Sequence, residues 1–148
     1  LEKSYRFAFS AVLTLVHDVV LVTGIYALLG HIFGLQVNSV FIVALLTVIG
    51  YSVNDTIVIF DRIRENQIKF PDNKYSSNIN ISINESIIRS LGTSITTLLV
   101  LFSMLVLGGS TLREFIVVLI LGVIVGTYSS IFIASQFLII WEEGIKKK

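Results

Sequence analysis

The stretch LTVIGYSVNDTIVIFDRIREN, residues 46–66, decides the fold class of this 148-residue chain. It is mostly apolar up to Phe60, encloses one carboxylate, Asp55, and becomes strongly charged from Asp61 onward. Together with the apolar residues before it, from residue 37, it is long enough to cross a hydrocarbon core of about 30 Å as a helix. The stretch therefore predicts a membrane-spanning helix that ends near Phe60.

Three more apolar runs of comparable length lie around it, at residues 7–29, 91–107 and 115–140. Hydrophobic residues make up 54% of the chain and charged residues only 14%, far from the usage of soluble domains. A soluble fold could not bury so much apolar surface. We therefore predict an all-α integral membrane protein with four transmembrane helices.

The basic residues predict how these helices are oriented. Only Arg113 lies in the connections after the first and third runs. The other Lys and Arg residues lie before the first run, between the second and third, or after the fourth: Lys3, Arg6, Arg62, Arg64, Lys69, Lys74, Arg89, Lys146, Lys147 and Lys148. Since Lys and Arg collect in cytoplasmic segments, we expect both termini and the central connection to be cytoplasmic.

The central connection, residues 62–85, carries further local signals. Its turn-prone Pro71-Asp72-Asn73 contains the only proline. A capping-box pattern from Ser82 to Glu85 predicts that a helix begins there and leads into the third span. Isoleucines at every fourth position predict an amphipathic helix on the inner membrane surface: Ile79, Ile83 and Ile87.

Ionisable residues inside apolar runs are the strongest functional signal, because each costs roughly 2.5 to 3.5 kcal/mol to insert. His17, Asp18 and Asp55 are of this kind. By helical rise, Asp55 lies about 27 Å from the outer end of its run and Asp18 about 16 Å into its own. Arg89, just before the third run, should lie near the depth of Asp55. We favour a functional role for Asp55 and an interhelical hydrogen bond for His17. For Asp18 a functional and a structural role are equally favoured.

Polar or small residues recur every three or four positions and predict one polar seam through the bundle. Its members are Ser10, Thr14 and Asp18; Thr47, Tyr51 and Asn54 beside Asp55; and Arg89, Thr93, Thr96 and Ser103. In the fourth run a stripe with a GxxxG pattern favours close helix packing over ligand binding: Gly122, Gly126, Ser130 and Ala134.

A carboxylate and an arginine in such a seam suggest proton transfer. A desolvated carboxylate near an arginine can change its charge through small movements, and each proton that crosses delivers about 2.3 kcal/mol per 100 mV. We predict that Asp55 and Arg89, with Asn54 and Asp18, form a proton relay. The chain has no cysteine, which excludes disulfides and thiolate zinc sites. We expect no cofactor, metal, catalytic residue or nucleic-acid partner.

Residues 46–66 resemble the signature of the SecF family, bacterial membrane proteins of protein export within the SecD/SecF group. Similar segments follow in the family's order, at His17-Asp18-Val19, Arg89, Thr93-Ser94, Thr96-Thr97, Gly108-Gly109 and residues 122–135. The resemblance implies a bundle related to half of a resistance-nodulation-division (RND) transporter, in the bacterial inner membrane. It implies pairing with SecD beside SecYEG, use of the proton-motive force on preproteins, and proton-relay roles for Asp55 and Arg89. The SecD signature differs at Asn54-Asp55-Thr56.

Complete members of that family have six spans and a periplasmic domain, so we expect residues 1–148 to be a C-terminal four-span part. Membrane lipids are expected neighbours. Three other readings stay open: an RND-type proton-coupled transporter of small molecules or lipids, an intramembrane aspartyl protease, and a scaffold. The protease is disfavoured because Ser52-Val53-Asn54, not a GxGD pattern, surrounds Asp55. The sequence does not distinguish H⁺ from Na⁺ as the coupling ion.

Overall fold

Four long helices, all apolar enough to cross a membrane, build the structure, a computed structural model that describes residues 4–146. The prediction of four transmembrane helices is confirmed. The elements are α1 (Ser4–Phe33), α2 (Ser39–Lys69), α3 (Tyr75–Leu107), a 3-10 turn (Ser110–Leu112), α4 (Arg113–Tyr128), a π-helical segment (Ser129–Ile133) and α5 (Ala134–Lys146). The last four form one continuous fourth span.

The beginning of α1 and the end of the fourth span lie together at one end of the bundle, here called the terminal end. Arg6 donates a hydrogen bond of 2.7 Å to Glu142, and Trp141 packs edge-on against Phe9. Both described termini are therefore on one side, as the charge pattern predicts. Which side of the membrane this is stays a prediction, and Lys3, Lys147 and Lys148 lie outside the described residues.

The connection between α2 and α3 differs from the sequence prediction. Residues 71–73 form the expected turn, but α2 continues to Lys69 and α3 begins at Tyr75. Ser82 therefore lies inside α3, where its hydroxyl donates to the carbonyl of Asn78, and the predicted helix start there is wrong. The separate surface helix is wrong as well. Its isoleucines instead pack on the bundle, because α2 extends far enough to give them a partner: Ile79, Ile83 and Ile87.

The opposite, distal end is closed by a short connection between α1 and α2. Gly34 has a φ of 73°, a left-handed conformation that glycine adopts without strain, and it ends α1. Asn38 then caps α2 by accepting a 3.1 Å bond from the backbone N–H of Phe41. The Asn38 amide also donates to Glu114 at 2.9 Å, which ties this connection to the start of α4.

The fourth span is the central helix of the bundle. Of its most apolar stretch 61% is buried, against 17% for α3, which lies at the edge. Close approach to α2 makes this possible, because a Cβ built on Gly122 would lie within 2.7 Å of the Cβ of Val48, and one on Gly126 would lie 3.3 Å from the Cβ of Ser52. Gly122 and Gly126 therefore serve packing, as the GxxxG pattern predicts.

Three apolar clusters fill the bundle, a large one toward each end and a smaller one between α3 and α4 that consists of Leu101, Ile116, Ile120 and Val123. The distal cluster consists of Val22, Tyr26, Phe41, Ala44, Val48, Val118 and Val125. The terminal cluster consists of Ile59, Phe60, Ile63, Ile79, Ile131, Ala134 and Leu138. The inward face of α2 passes from one to the other through Ser52 and Thr56, both 1% exposed. A polar layer thus separates the distal and terminal clusters near mid-span.

Candidate functional site

The polar layer is built from side chains of all four spans. Its buried members are Asp18, Ser52, Thr56, Ser90, Ser94, Thr127, Ser129 and Ser130, and the half-buried Asp55 joins them. Most are hydroxyls, which can each donate one hydrogen bond and accept others. The layer therefore surrounds two carboxylates with short, neutral side chains.

Asp18 is the more deeply buried of the two carboxylates, at 1% exposed. Its Oδ2 accepts hydrogen bonds from Ser52 on α2 and, at 2.8 Å, from Ser129 in the π segment. Its Oδ1 lies 3.1 Å from Nδ1 of His17. The interhelical bond predicted for His17 is thus replaced by a contact with its own neighbour, which leaves the serines to connect α1 with the other spans.

Asp55, on α2, is the second carboxylate and faces α3 and the fourth span. Ser90 donates to its Oδ1 at 2.9 Å, and Ser130 donates to its Oδ2 at 2.5 Å. Bonds from hydroxyls to an ionised carboxylate contribute about 1.5 to 3 kcal/mol each. Asp55 therefore fastens α2 to both of its neighbours.

Both carboxylates accept hydrogen bonds from the π segment. The N–H of Ala134 bonds to the carbonyl of Ser129, five residues back, so the turn holds one residue more than an α-helical turn. Consecutive helical residues point about 100° apart. Ser129 consequently reaches Asp18 on α1 while Ser130 reaches Asp55 on α2. A π-helical turn is often found at a functional site.

A chain of hydroxyls continues the layer toward α3. Ser94 lies 2.5 Å from Thr127 and 3.0 Å from the hydroxyl of Tyr51. Ser94 also donates to the carbonyl of Ser90, 2.8 Å away, and Ser90 in turn bonds to Asp55. Tyr51 is the one predicted seam residue of α2, besides Asp55, that joins this network.

The structure brings only part of the predicted seam together. On α1 the residues predicted from their spacing are all buried, namely Ser10, Thr14 and Asp18. On α2 and α3 the inward face is offset from the predicted one. The remaining seam positions are exposed on these two helices: Thr47, Asn54, Arg89, Thr93, Thr96 and Ser103.

Two predicted relay residues, Asn54 and Arg89, therefore lie outside the buried layer. Each is the chain neighbour of a residue inside it, because Asn54 precedes Asp55 and Arg89 precedes Ser90. Arg89 has the depth expected of it, since Ser90 touches Asp55. It lines a polar cavity of about 330 Å³ between α2 and α3.

Ser52, Ser90 and Ser129, which hold the carboxylates, were not predicted, and Ser130, predicted to serve helix packing, also donates to Asp55. On α3 a signal was present, because polar residues recur at every fourth position from residue 78 to residue 94 and all are buried: Asn78, Ser82, Ser86, Ser90 and Ser94. The predicted stripe of α3 followed Arg89, Thr93 and Thr96 instead, which lie on its outward face. For Ser129 there was no such signal, because a π-helical turn breaks the helical spacing on which such stripes depend.

Comparison with known proteins gives a consistent result. The family model described as "Protein export membrane protein SecD/SecF, C-terminal" matches residues 3–144. "Protein translocase subunit SecF" of Thermobaculum terrenum is 45% identical over 138 residues, which are 93% of this chain and 44% of that protein. The subunit of the same name from Petrotoga mobilis is 51% identical over 138 residues, covering 90% of this chain and 44% of that protein.

A solved structure agrees in fold as well. The crystal structure of SecDF from Thermus thermophilus, described as a translocon-associated membrane protein, superposes with a TM-score of 0.87 at 44% identity. It covers 95% of this chain, and this chain covers 19% of it. This chain therefore spans less than half the length of the curated relatives described here.

Proposed function

Because this chain belongs to the SecD/SecF family of protein-export membrane proteins, we propose that it is the four-span C-terminal part of a SecF subunit. In this role it acts with SecD beside the SecYEG channel, in the bacterial inner membrane, and uses the proton-motive force to help preproteins cross. Its termini and α2–α3 turn are then cytoplasmic. On this proposal, the first two spans and the periplasmic domain of complete family members belong to the rest of the subunit.

The observation that carries this proposal is the pair of carboxylates held by adjacent serines of one π segment. Each serine has a second acceptor within reach, since Ser129 lies 3.2 Å from the carbonyl of Gly126 and Ser130 lies 3.1 Å from that of Thr127. When a carboxylate takes up a proton it becomes a donor, and the hydroxyl can accept from it while donating to the carbonyl. Both charge states of Asp18 and Asp55 are thereby satisfied without leaving a buried polar group unpaired.

Protonation must also favour one conformation if it is to do mechanical work. Hydrogen bonds to an ionised carboxylate are stronger than those to a neutral one. Loss of charge at Asp55 therefore loosens its connections to Ser90 and Ser130, which belong to different spans. Proton uptake would thus weaken the contacts that hold α3 and the fourth span to α2.

The exposed polar positions of α2 and α3 suggest where SecD binds. Among these positions, Asn54 and Arg89 directly precede the two residues of the contact between Asp55 and Ser90. Threonines among them can donate to their own helix, as Thr93 does to the carbonyl of Ser90 at 3.0 Å, but Asn54 and the charged Arg89 are costly to expose to lipid. We infer that SecD covers this strip, and that Arg89 then acts on the charge of Asp55 as predicted.

The test is export by the complete subunit with SecD and SecYEG in proteoliposomes, under an imposed proton gradient or an imposed sodium gradient. We expect Asp55→Asn to abolish the stimulation by the proton gradient, and Asp18→Asn to reduce it. Asp72→Asn, at an exposed position in the α2–α3 turn, is the matched control and should behave as wild type. If the proton gradient still stimulates export in Asp55→Asn, the proton relay is refuted and the scaffold reading is favoured instead. Stimulation by sodium alone would assign the same site to Na⁺.

A further inference from the structure

A polar cavity lies between α2 and α3, on the terminal side of Asp55. Its volume is about 330 Å³, and Val58 is its one apolar lining residue. The lining consists of Val58, Asp61, Arg62, Glu65, Glu85, Ser86 and Arg89. A single water needs about 10 to 15 Å³ and polar partners. The cavity can therefore hold a continuous group of waters.

One end of this cavity, here called the deep end, is lined by Val58 and Arg89 and lies within about one helical turn of Asp55. Val58 is three residues after Asp55, a rise of about 4.5 Å along α2. On the facing helix Arg89 precedes Ser90, whose hydroxyl is 2.9 Å from Oδ1 of Asp55. A proton leaving Asp55 toward the terminal end thus meets the cavity within one helical turn.

The opposite end is framed by a network of ion pairs. Arg62 binds Glu85 at 2.7 Å and Glu65 at 2.5 Å, and the amide of Asn66 donates to Glu85 at 2.8 Å. These contacts fix the positions of both glutamates and hold α2 and α3 together beyond the apolar runs. The other carboxylate of the wall, Asp61, takes no part in them, and it is exposed.

The neighbouring groove, between α1 and α2, has the opposite character. Its lining is mainly apolar, with charged side chains only at its rim: Phe7, Ala8, Ala11, Val53, Ile57, Phe60, Asp61 and Arg64. Lipid chains suit this groove and water does not. Asp61 lines both this groove and the polar cavity. Water can therefore connect it with Asp55 only through the polar cavity.

We propose that the cavity between α2 and α3 is the water-filled passage through which protons move between Asp55 and the cytoplasm, and that Asp61 is the acceptor along it. The proton moves from the Asp55 carboxyl to water, then to an Oδ of Asp61, and from there to bulk water. Each transfer breaks one O–H bond and forms another, with no net change in charge. Arg89, at the deep end, repels metal cations from the same path. The inference rests on the proposed proton relay at Asp55.

Water access can be tested with single cysteines, because this chain contains none of its own. In the complete complex, with any other cysteines replaced, a charged thiol reagent is added on the cytoplasmic side. We expect Val58→Cys and Ser86→Cys to react about tenfold faster than the neighbouring controls Ile57→Cys and Ile88→Cys, which face away from the cavity. Reaction requires a thiolate and a wet surface, which apolar surroundings do not provide. Equal rates in the two sets would overturn the passage.

The role of Asp61 is tested by the rate and the extent of proton release, measured with a pH indicator after a pH jump. Asp61→Asn should slow the exchange on the order of 100-fold, the low end for a positioned acid or base, while the number of protons bound stays the same. Asp72→Asn should change neither. An unchanged rate in Asp61→Asn refutes this inference alone. Unchanged proton uptake in Asp55→Asn refutes the proposed function instead, so the two failures are distinct.

Discussion

The contact between Gly122 and α2 is tight enough that one added methyl group should be measurable. A Cβ at this position would meet the Cβ and both Cγ atoms of Val48 within 2.7 Å. Val48 is 1% exposed and β-branched, so its side chain has few alternative rotamers. In Gly122→Ala the fourth span and α2 must therefore move apart.

The expected cost follows from this overlap. Overpacking of a well-packed core by one methyl group costs about 1 to 3 kcal/mol, or roughly a 5- to 150-fold change in the ratio of folded to unfolded protein. Helix propensity acts in the other direction, by up to about 1 kcal/mol in favour of alanine. Gly122→Ala should still be less stable than wild type, since Val48 cannot turn away.

Two other glycines provide matched controls. A Cβ at Gly126 would be 3.3 Å from the Cβ of Ser52, a distance that a shift of a few tenths of an ångström relieves, and a Cβ at Gly92 would have no neighbour within 4 Å. Gly92→Ala should therefore match or exceed wild-type stability, and Gly126→Ala should fall between Gly92→Ala and Gly122→Ala. The assay is the free energy of unfolding of the complete subunit in mild detergent, followed by circular dichroism.

A double-mutant cycle isolates the contact itself. Val48→Ala removes both Cγ atoms, so the alanine of Gly122→Ala then has room. The double variant should lose less free energy of unfolding than the two single variants lose in sum. The difference, which is the coupling energy, should be about 0.5 to 3 kcal/mol. Additive costs, or a Gly122→Ala variant as stable as Gly92→Ala, would show that this helix contact does not limit the packing.

Two further predictions concern polar groups. Ser130→Ala removes a donor to Asp55 and should lower the free energy of unfolding by about 1.5 to 3 kcal/mol at neutral pH. The control Ser103→Ala, at an exposed position of α3, should change this free energy little. Equal effects of the two substitutions would contradict the hydrogen bond assigned to Ser130. Beyond the apolar run of α2, hydrogen bonds from Lys69 and then Arg62 lower the pKa of Glu65 from its ordinary 4.5. A lowered pKa stabilises the fold above the ordinary value and loses that effect as the pH falls through the folded value, so the protection of amides near residues 62–69 against exchange, relative to the intrinsic rate at each pH, should fall below about pH 4.5. Glu65→Gln should show the same protection on both sides of that pH, and a loss of protection that persists in this variant would assign the effect to another group.

Much of the fold was predictable because bilayer thickness limits helix length and charge placement limits the connections. The residues beyond the spans were less predictable. Ser82 and Glu85 match a helix start, yet both lie inside α3, where Glu85 pairs with Arg62 across the hairpin. A local pattern could not reveal that partner, because it lies 23 residues away in the chain.

The candidate site was predictable where cost singles out a residue. Asp18 and Asp55 stood out because carboxylates are expensive in an apolar run, and both lie in the polar layer. Serine costs little to bury, so cost did not single out Ser52 or Ser90; Ser90 belongs to the polar stripe of α3, whereas Ser52 is recognised only from its contact with Asp18. Arg89 and Asn54 are expensive too, but they are exposed in this chain, and their roles stay a prediction about the assembled complex.

The π segment depends on the number of residues in the fourth span rather than on their identity. The wide turn takes up one residue more than an α-helical turn, so deleting one residue between positions 131 and 133 would restore an unbroken α-helix and leave α5 in register with α4. Ala134 and Leu138 would then keep their places in the terminal cluster. The same deletion within α4 would instead rotate every residue after it by about 100°. The π segment is therefore the place in the fourth span where the chain can lose a residue without turning one half of the helix against the other.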